Sequence, residues 1–232
     1  MGNRLLVMCP SRGRPDRIKD MLASYDATKS IGTSLVIVLD NDDPKVNDYE
    51  LTGRTVIVQN RHDVSKIYNF LVGKYNKHKY YCAINDDMVF RTNGWDDILI
   101  GEIEKNGGWG IAFGDDRIHS GRLQRPTNTV ISGNIVRALG YIYPPELYAL
   151  LGDVFLGDLG KALGRLYYRP DVVIEHKHYC ANTAPNDDTY RFGESRHAQE
   201  KEIYAKYKAE RFTIDVAKVS GALEAELCEL VR

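Results

Sequence analysis

Tyr80-Tyr81-Cys82-Ala83-Ile84-Asn85-Asp86-Asp87 is the stretch from which the rest of the chain is read. Five mostly apolar residues make a short buried strand, and a polar triplet with two carboxylates follows without a Gly or Pro spacer. In an open α/β sheet, ligands sit in the crevice beyond the carboxyl ends of the strands. Two carboxylates there repel each other unless a proton or a cation lies between them, so a divalent ion is a natural occupant. The same Asn-Asp-Asp triplet also suits a plain turn.

Upstream, residues 4–9 (RLLVMC), 34–39 (SLVIVL) and 55–58 (TVIV) read as strands. Pro10-Ser11-Arg12-Gly13-Arg14-Pro15 joins the first of them to a helix, with Pro15 in its first turn. A basic loop meeting a helix N-terminus favours anions such as phosphate. The second strand delivers Asp40 to the crevice, where it is assigned to the base or ribose of a nucleotide; the Asp-Asn-Asp-Asp-Pro run also favours a turn. Lys66 and Asn69 fall in the first turns of the next helix, in position to face the crevice.

Downstream, Gly94-Trp95-Asp96-Asp97 opens a helix and residues 109–113 (WGIAF) form a further strand. The alternation predicts an α/β fold with a mostly parallel, Rossmann-like sheet flanked by helices. No Gly-x-Gly-x-x-Gly follows any strand and no Gly-Lys-Ser/Thr loop exists, which disfavours dinucleotide oxidoreductases and P-loop NTPases.

The second half changes character, with a basic polar loop over residues 118–128, short strands, and Gly133-Asn134 starting a short helix. Asp153 opens another helical segment, and residues 166–169 and 172–174 are short strands running into Glu175-His176-Lys177-His178. Alternation in a strand puts His176 and His178 on one face. Residues 181–193 look loop-like, and the last forty residues read as one or two amphipathic helices packed on the core.

A formal net charge of −1 argues against a chain held to nucleic acid by bulk electrostatics. Arg117, Arg122, Arg125, Arg137, Lys161, Arg165 and Arg169 leave a local basic groove open, against scattered solvated side chains. The four cysteines form no Cys-x-x-Cys pair, and Cys9 and Cys82 in strands fit buried thiols of a reducing compartment. The apolar run at residues 5–8 is too short for a signal peptide or a membrane span. The expectation is a soluble, cytoplasmic protein.

This order of features resembles a GT-A glycosyltransferase, most like the large inverting family 2, from residue 5 to about 178. Pro10, Ser11, Arg12 and Arg14 lie where that family contacts the nucleotide, Asp40 where it recognises the base, and Asn69 where an Asn recurs. Asn85-Asp86-Asp87 resembles the D-x-D metal motif with Asn first, which puts the metal position on Asp87. Gly133 and Asn134 look like the sugar and acceptor side, and Gly152-Asp153 like a Glu-Asp pair whose Asp is the catalytic base. His176 resembles the terminal His of the closing strand. The departures are Asn85 for Asp and Gly152 for Glu.

The resemblance implies a catalytic domain over residues 1–180, divided into a nucleotide-binding half (1–116) and an acceptor half (117–180). Residues 181–232 then form a flexible loop and a C-terminal helical extension. It also implies Mn2+ or Mg2+, a nucleotide-sugar donor (UDP favoured), an acceptor hydroxyl and no membrane. The acceptor of small phage-type enzymes of this kind includes modified DNA bases, with host cytoplasm as the location.

The chemistry agrees with this on its own terms. A cation held by Asp87 and an imidazole stabilises a departing diphosphate, and Mn2+ suits a mixed oxygen and imidazole site. A carboxylate on the opposite face takes the acceptor proton; Asp153 is placed there, with Asp158 as fallback. His176, His178 and Cys180 also resemble a fragment of a zinc site. Residues 181–196 read as a polar, Pro-interrupted flap over the donor. The alternatives are a nucleotidyltransferase on a related sheet and a non-catalytic nucleotide- or sugar-binding protein.

Overall fold

Alternation along the first strand, β1 (Leu5–Ser11), sends Leu5, Val7 and Cys9 to one face of a sheet and Leu6 and Met8 to the other, all fully buried. A strand apolar on both faces needs cover on both, and the chain supplies it. The computed structural model that shows this describes residues 4–119 and 125–230.

Eight strands form one sheet: β1, β2 (Thr33–Asp40), β3 (Thr55–Gln59), β4 (Tyr80–Ala83), β5 (Met88–Phe90), β6 (Ile111–Asp115), β7 (Val130–Ser132) and β8 (Leu166–His176). Their spatial order is β3-β2-β1-β4-β7-β6-β8-β5. Strands β1 to β4 are mutually parallel, β7 is antiparallel to β4 and β6, and β8 is parallel to β6. Two reversals cancel, so β6 and β8 point the same way as β1, β2 and β4. Their carboxyl ends share one edge.

Helices α1 (Pro15–Thr28) and α3 (Trp95–Lys105) cover the Leu5 face. The Leu6 face is covered by α2 (Val64–Lys74), α4 (Gly133–Leu139), α5 (Gly152–Ala162), α6 (Asp188–Glu210) and α7 (Phe212–Leu230).

Three expectations change. The strands expected at 166–169 and 172–174 are one strand, β8, which carries a register shift opposite Phe113 and Asp115. A three-residue strand, β5, follows Asp87 directly and pairs Met88 with His176, which brings the two chain segments together. The loop expected over residues 181–193 ends early, because Asp187 caps α6 by accepting the Tyr190 N–H. Two buried carboxylates then fix the C-terminal helices. Glu200 accepts the backbone N–H groups of Tyr148, Ala149 and Leu150, and Asp215 accepts the hydroxyls of Tyr141 and Tyr207. No helix among the described residues is long and apolar enough to cross a membrane.

Candidate active site

The turn after β4 buries both carboxylates and leaves Asn85 exposed. Asp86 accepts a hydrogen bond from Ser11 Oγ (2.7 Å) at the end of β1 and one from Arg14 (2.9 Å) just before α1. Asp87 accepts from Tyr190 Oη (2.7 Å) and, more weakly, from Arg14 (3.4 Å). Burial raises Asp86, with Asp87 beside it adding to the rise against Arg14. Burial also works against Asp87, but His176 and Arg14 hold it below its ordinary value.

Arg14 is itself 7% exposed. It makes a two-pronged pair with Asp187 (2.9 and 2.8 Å) and stacks on the Tyr190 ring at 4.2 Å. Arg17 donates to Tyr190 Oη (2.7 Å) and to Pro185 O (3.1 Å). The segment leading into α6 is therefore laid directly over the β4 carboxylates.

One atom of this cluster is left over. Asp87 Oδ1 is buried without a hydrogen-bond donor and lies 3.4 Å from His176 Nε2. An orphaned carboxylate oxygen beside an imidazole nitrogen fits a divalent cation, since both are first-row metal donors. Among the described residues no group of three or more His, Cys, Asp or Glu side chains converges as a complete set. Burial works against the His176 cation, but Asp87 raises the imidazole above its ordinary value. His178 Nδ1 accepts the Cys180 N–H (3.2 Å), and its ring packs edge-on against His176 at 5.0 Å and tilted against Tyr190 at 4.5 Å.

Asp153 begins α5 with one hydrogen bond, from the Val154 N–H (2.7 Å). Burial pushes its carboxyl up to about 6, against the pull of Arg125 and His119. The Gly152 that stands where a Glu was expected has a structural reason: a Cβ there would meet the Tyr143 ring at 2.6 Å. Asp158 is engaged by Tyr204 Oη (2.7 Å) and Lys208 Nζ (2.9 Å), which ties it to α6.

Other expected residues lie elsewhere or are already occupied. Pro10 lies within β1, and Arg12 bridges Asp40 (3.2 Å) and Asp42 (2.5 Å) at the end of β2. Lys66 is solvent-facing and pairs with Asp63 at 3.0 Å. Asn69 does not face the crevice: it donates to Tyr143 O (2.8 Å) and accepts the Ile142 and Tyr143 N–H groups, latching the segment that leads to α5. Gly133 and Asn134 sit at the opposite end of the sheet from Asp87. Because β7 runs antiparallel to β4, Ser132 pairs with Tyr80, and the Gly133 N–H reaches Lys79 O (2.6 Å).

Three of the residues expected to line a groove are engaged within the protein. Arg137 donates to His78 O, Arg165 to Asn106 O, and Arg169 pairs with Glu102 and Asp171, while Arg122 lies outside the described residues. Sequence reasoning missed Arg17, Asp187 and Tyr190, and the pair Asp116 and His119 beyond β6. The Asp-x-x-His spacing after a strand was a usable signal for that pair.

No family model matches the chain, and no curated protein matches it by sequence. Solved structures do. Mannosyltransferase PcManGT from Pyrobaculum calidifontis, in complex with GDP-Man and Mn2+, superposes with a TM-score of 0.64 at 13% identity, covering 97% of this chain and 75% of that one. S. aureus TarS 1-349 in complex with UDP-GlcNAc gives 0.56 at 13% identity over 81% of this chain, which spans 63% of that fragment. Glucosyl-3-phosphoglycerate synthase from Mycobacterium tuberculosis, with Mn2+, UDP-Glc and phosphoglyceric acid, gives 0.56 at 11% identity, covering 75% and 72%. The chain has the GT-A fold of these proteins.

Proposed function

We propose that this protein is a metal-dependent glycosyltransferase that moves a sugar from a nucleotide-sugar donor, a UDP-sugar first among the candidates, to an acceptor hydroxyl with inversion. The observation that carries the reading is the buried Asp87 Oδ1, left without a hydrogen-bond donor and facing His176 Nε2 at 3.4 Å. The neighbours solved with GDP-Man, UDP-GlcNAc and UDP-Glc support the donor class, and those holding Mn2+ support the metal.

Asp87 and His176 are the residues that would hold Mn2+ or Mg2+. When bound, the ion would supply Lewis-acid stabilisation of the departing diphosphate. Ser11, Arg12 and Arg14, paired here with Asp86, Asp40, Asp42 and Asp187, would exchange those partners for the diphosphate, and Asp40 would face the nucleoside from the end of β2. Asp153 accepts the proton of the attacking hydroxyl, and its raised carboxyl is matched to that task near neutral pH. Arg14 and Tyr190 must give way for the diphosphate to reach Asp87, because they occupy its Oδ2.

The test is a screen of UDP- and GDP-sugars with Mn2+, read as nucleotide release, with Asp87→Ala beside the wild type. Release that needs both Mn2+ and Asp87 is the expected outcome. Nucleotide binding indifferent to both, by calorimetry, assigns the protein to non-catalytic binding instead.

A further inference from the structure

The transfer outlined above makes no use of a second carboxylate and imidazole at the same edge of the sheet. Asp116 follows β6, and its backbone oxygen accepts the His176 N–H at 3.0 Å. Its carboxylate, 3% exposed, accepts four hydrogen bonds: Ile118 N–H (2.9 Å), His119 N–H (2.6 Å), Thr127 Oγ1 (2.8 Å) and the His119 ring Nδ1 (2.8 Å). Burial resists the charge, but His119 and the other donors hold Asp116 well below the usual carboxylate range.

An anion that close to Nδ1 assigns the ring proton to Nδ1. The lone pair of the neutral ring then sits on Nε2, which has no partner among the described residues. A loop organiser alone would explain the two backbone bonds and Thr127; it has no need of an oriented imidazole. The loop is also bent to deliver that ring. Arg117, between the two residues, adopts φ 66°, a conformation few non-glycine residues take, and its N–H is held by Asp115 Oδ1 at 2.8 Å. The backbone contact between Asp116 and His176 keeps the ring at the carboxyl edge of the sheet.

We propose that His119 is an acceptor-binding residue. Its Nε2 accepts a hydrogen bond from a hydroxyl of the incoming acceptor and holds that molecule against Asp153, while Asp116 fixes the tautomer that leaves Nε2 free to accept. The acceptor class this selects is a neutral polyol or sugar, which offers a second hydroxyl beside the one that attacks. The proposal rests on the transferase reading, so its test has an arm that does not.

In the first arm, 15N-labelled wild type is observed by long-range 1H–15N spectroscopy at neutral pH and titrated with methyl glycosides. His119 is expected in the Nδ1–H form, with its Nε2 resonance moving on titration. An Nε2–H tautomer, or a resonance that stays put at saturating glycoside, overturns the proposal whatever the enzyme does. In the second arm, transfer to the same glycosides is compared for wild type, His119→Ala and His119→Gln. The Ala variant is expected to lose about tenfold in kcat/KM through acceptor KM, with UDP affinity unmoved and with recovery by Gln, whose amide oxygen also accepts. A loss carried by kcat, or a parallel loss of UDP affinity, overturns it. If the wild type releases nucleotide from no donor, the transferase reading falls, and the spectroscopic arm alone decides the role of His119.

Discussion

The two sides of the crevice answer burial in different ways. Beyond β4, Asp86 and Asp87 are buried and nearly saturated from inside the protein by Ser11, Arg14 and Tyr190, with Arg17 and Asp187 behind them. Beyond β6 and at the start of α5, Asp153 and the far nitrogen of His119 keep lone pairs with no such partner among the described residues. The first side carries the charge that a diphosphate and its cation would meet, and it is neutralised in advance by arginine. The second side would, on the proposed reading, face an uncharged hydroxyl. Counter-charge supplied by the chain is what lets a carboxylate pair stay buried without its ligand.

The largest effect that separates the sides is loss of the cation. Asp87→Asn is expected to slow nucleotide release by about 10³–10⁴-fold, the several kcal/mol that Lewis-acid stabilisation supplies. Added Mn2+ does not restore the rate; a variant that Mn2+ rescues in full breaks the assignment. Asp153→Asn comes next, with an expected loss of about 10³-fold in transfer and unchanged UDP binding by calorimetry.

Asp153 also predicts the acid limb. It must be ionised to take a proton, and burial raises it to about 6, so kcat/KM falls as pH drops through that value. Arg125 and His119 oppose the rise, and the charge of Asp153 reaches His176, Tyr143 and Tyr204. Protonation of His176 works in the same direction by removing a metal donor. The share of the limb that vanishes in Asp153→Asn is the share owed to this carboxyl, and an unaltered limb in that variant removes it from the role.

Arg14→Gln tests the built-in counter-charge. Removing one partner of a buried ion cluster costs about 3–5 kcal/mol, so the metal-free variant is expected to melt well below the wild type. Mn2+ should recover more of that loss than it adds to the wild type, because two uncompensated carboxylates are then its site. Equal Mn2+ stabilisation of both proteins contradicts the idea that Arg14 and the cation answer the same charge. The smallest expected effect is that of Tyr190→Phe, about 2 kcal/mol for a hydroxyl that donates to Asp87 and accepts from Arg17, seen as faster proteolysis near residue 190.

Much of the first side was legible in the sequence. An apolar strand ending in paired acids, and a basic loop before Pro15, state their chemistry through residue type and position alone. Asp153 and His176 were reachable only through a resemblance, since an acid in a helix and a histidine at a strand end carry no unique pattern. Gly133 and Asn134 were misplaced because the direction of a three-residue strand leaves no trace in its sequence. Asn69 is a latch rather than a ligand because the backbone groups it satisfies belong to residues 142 and 143, a contact no local pattern encodes. The beginning of α6 escaped notice because it carries no apolar stripe. Arg14, Arg17 and Tyr190 hold it instead, and periodicity does not register ion pairs.

Glu200 carries a practical consequence. Its carboxylate gathers three amides of the segment just ahead of α5, so the second-to-last helix supports the floor on which Asp153 stands. Anyone paring this protein down to a minimal core at residue 180 would remove that support and leave three backbone donors without their acceptor. The tail is part of the foundation, and miniaturisation has to begin elsewhere.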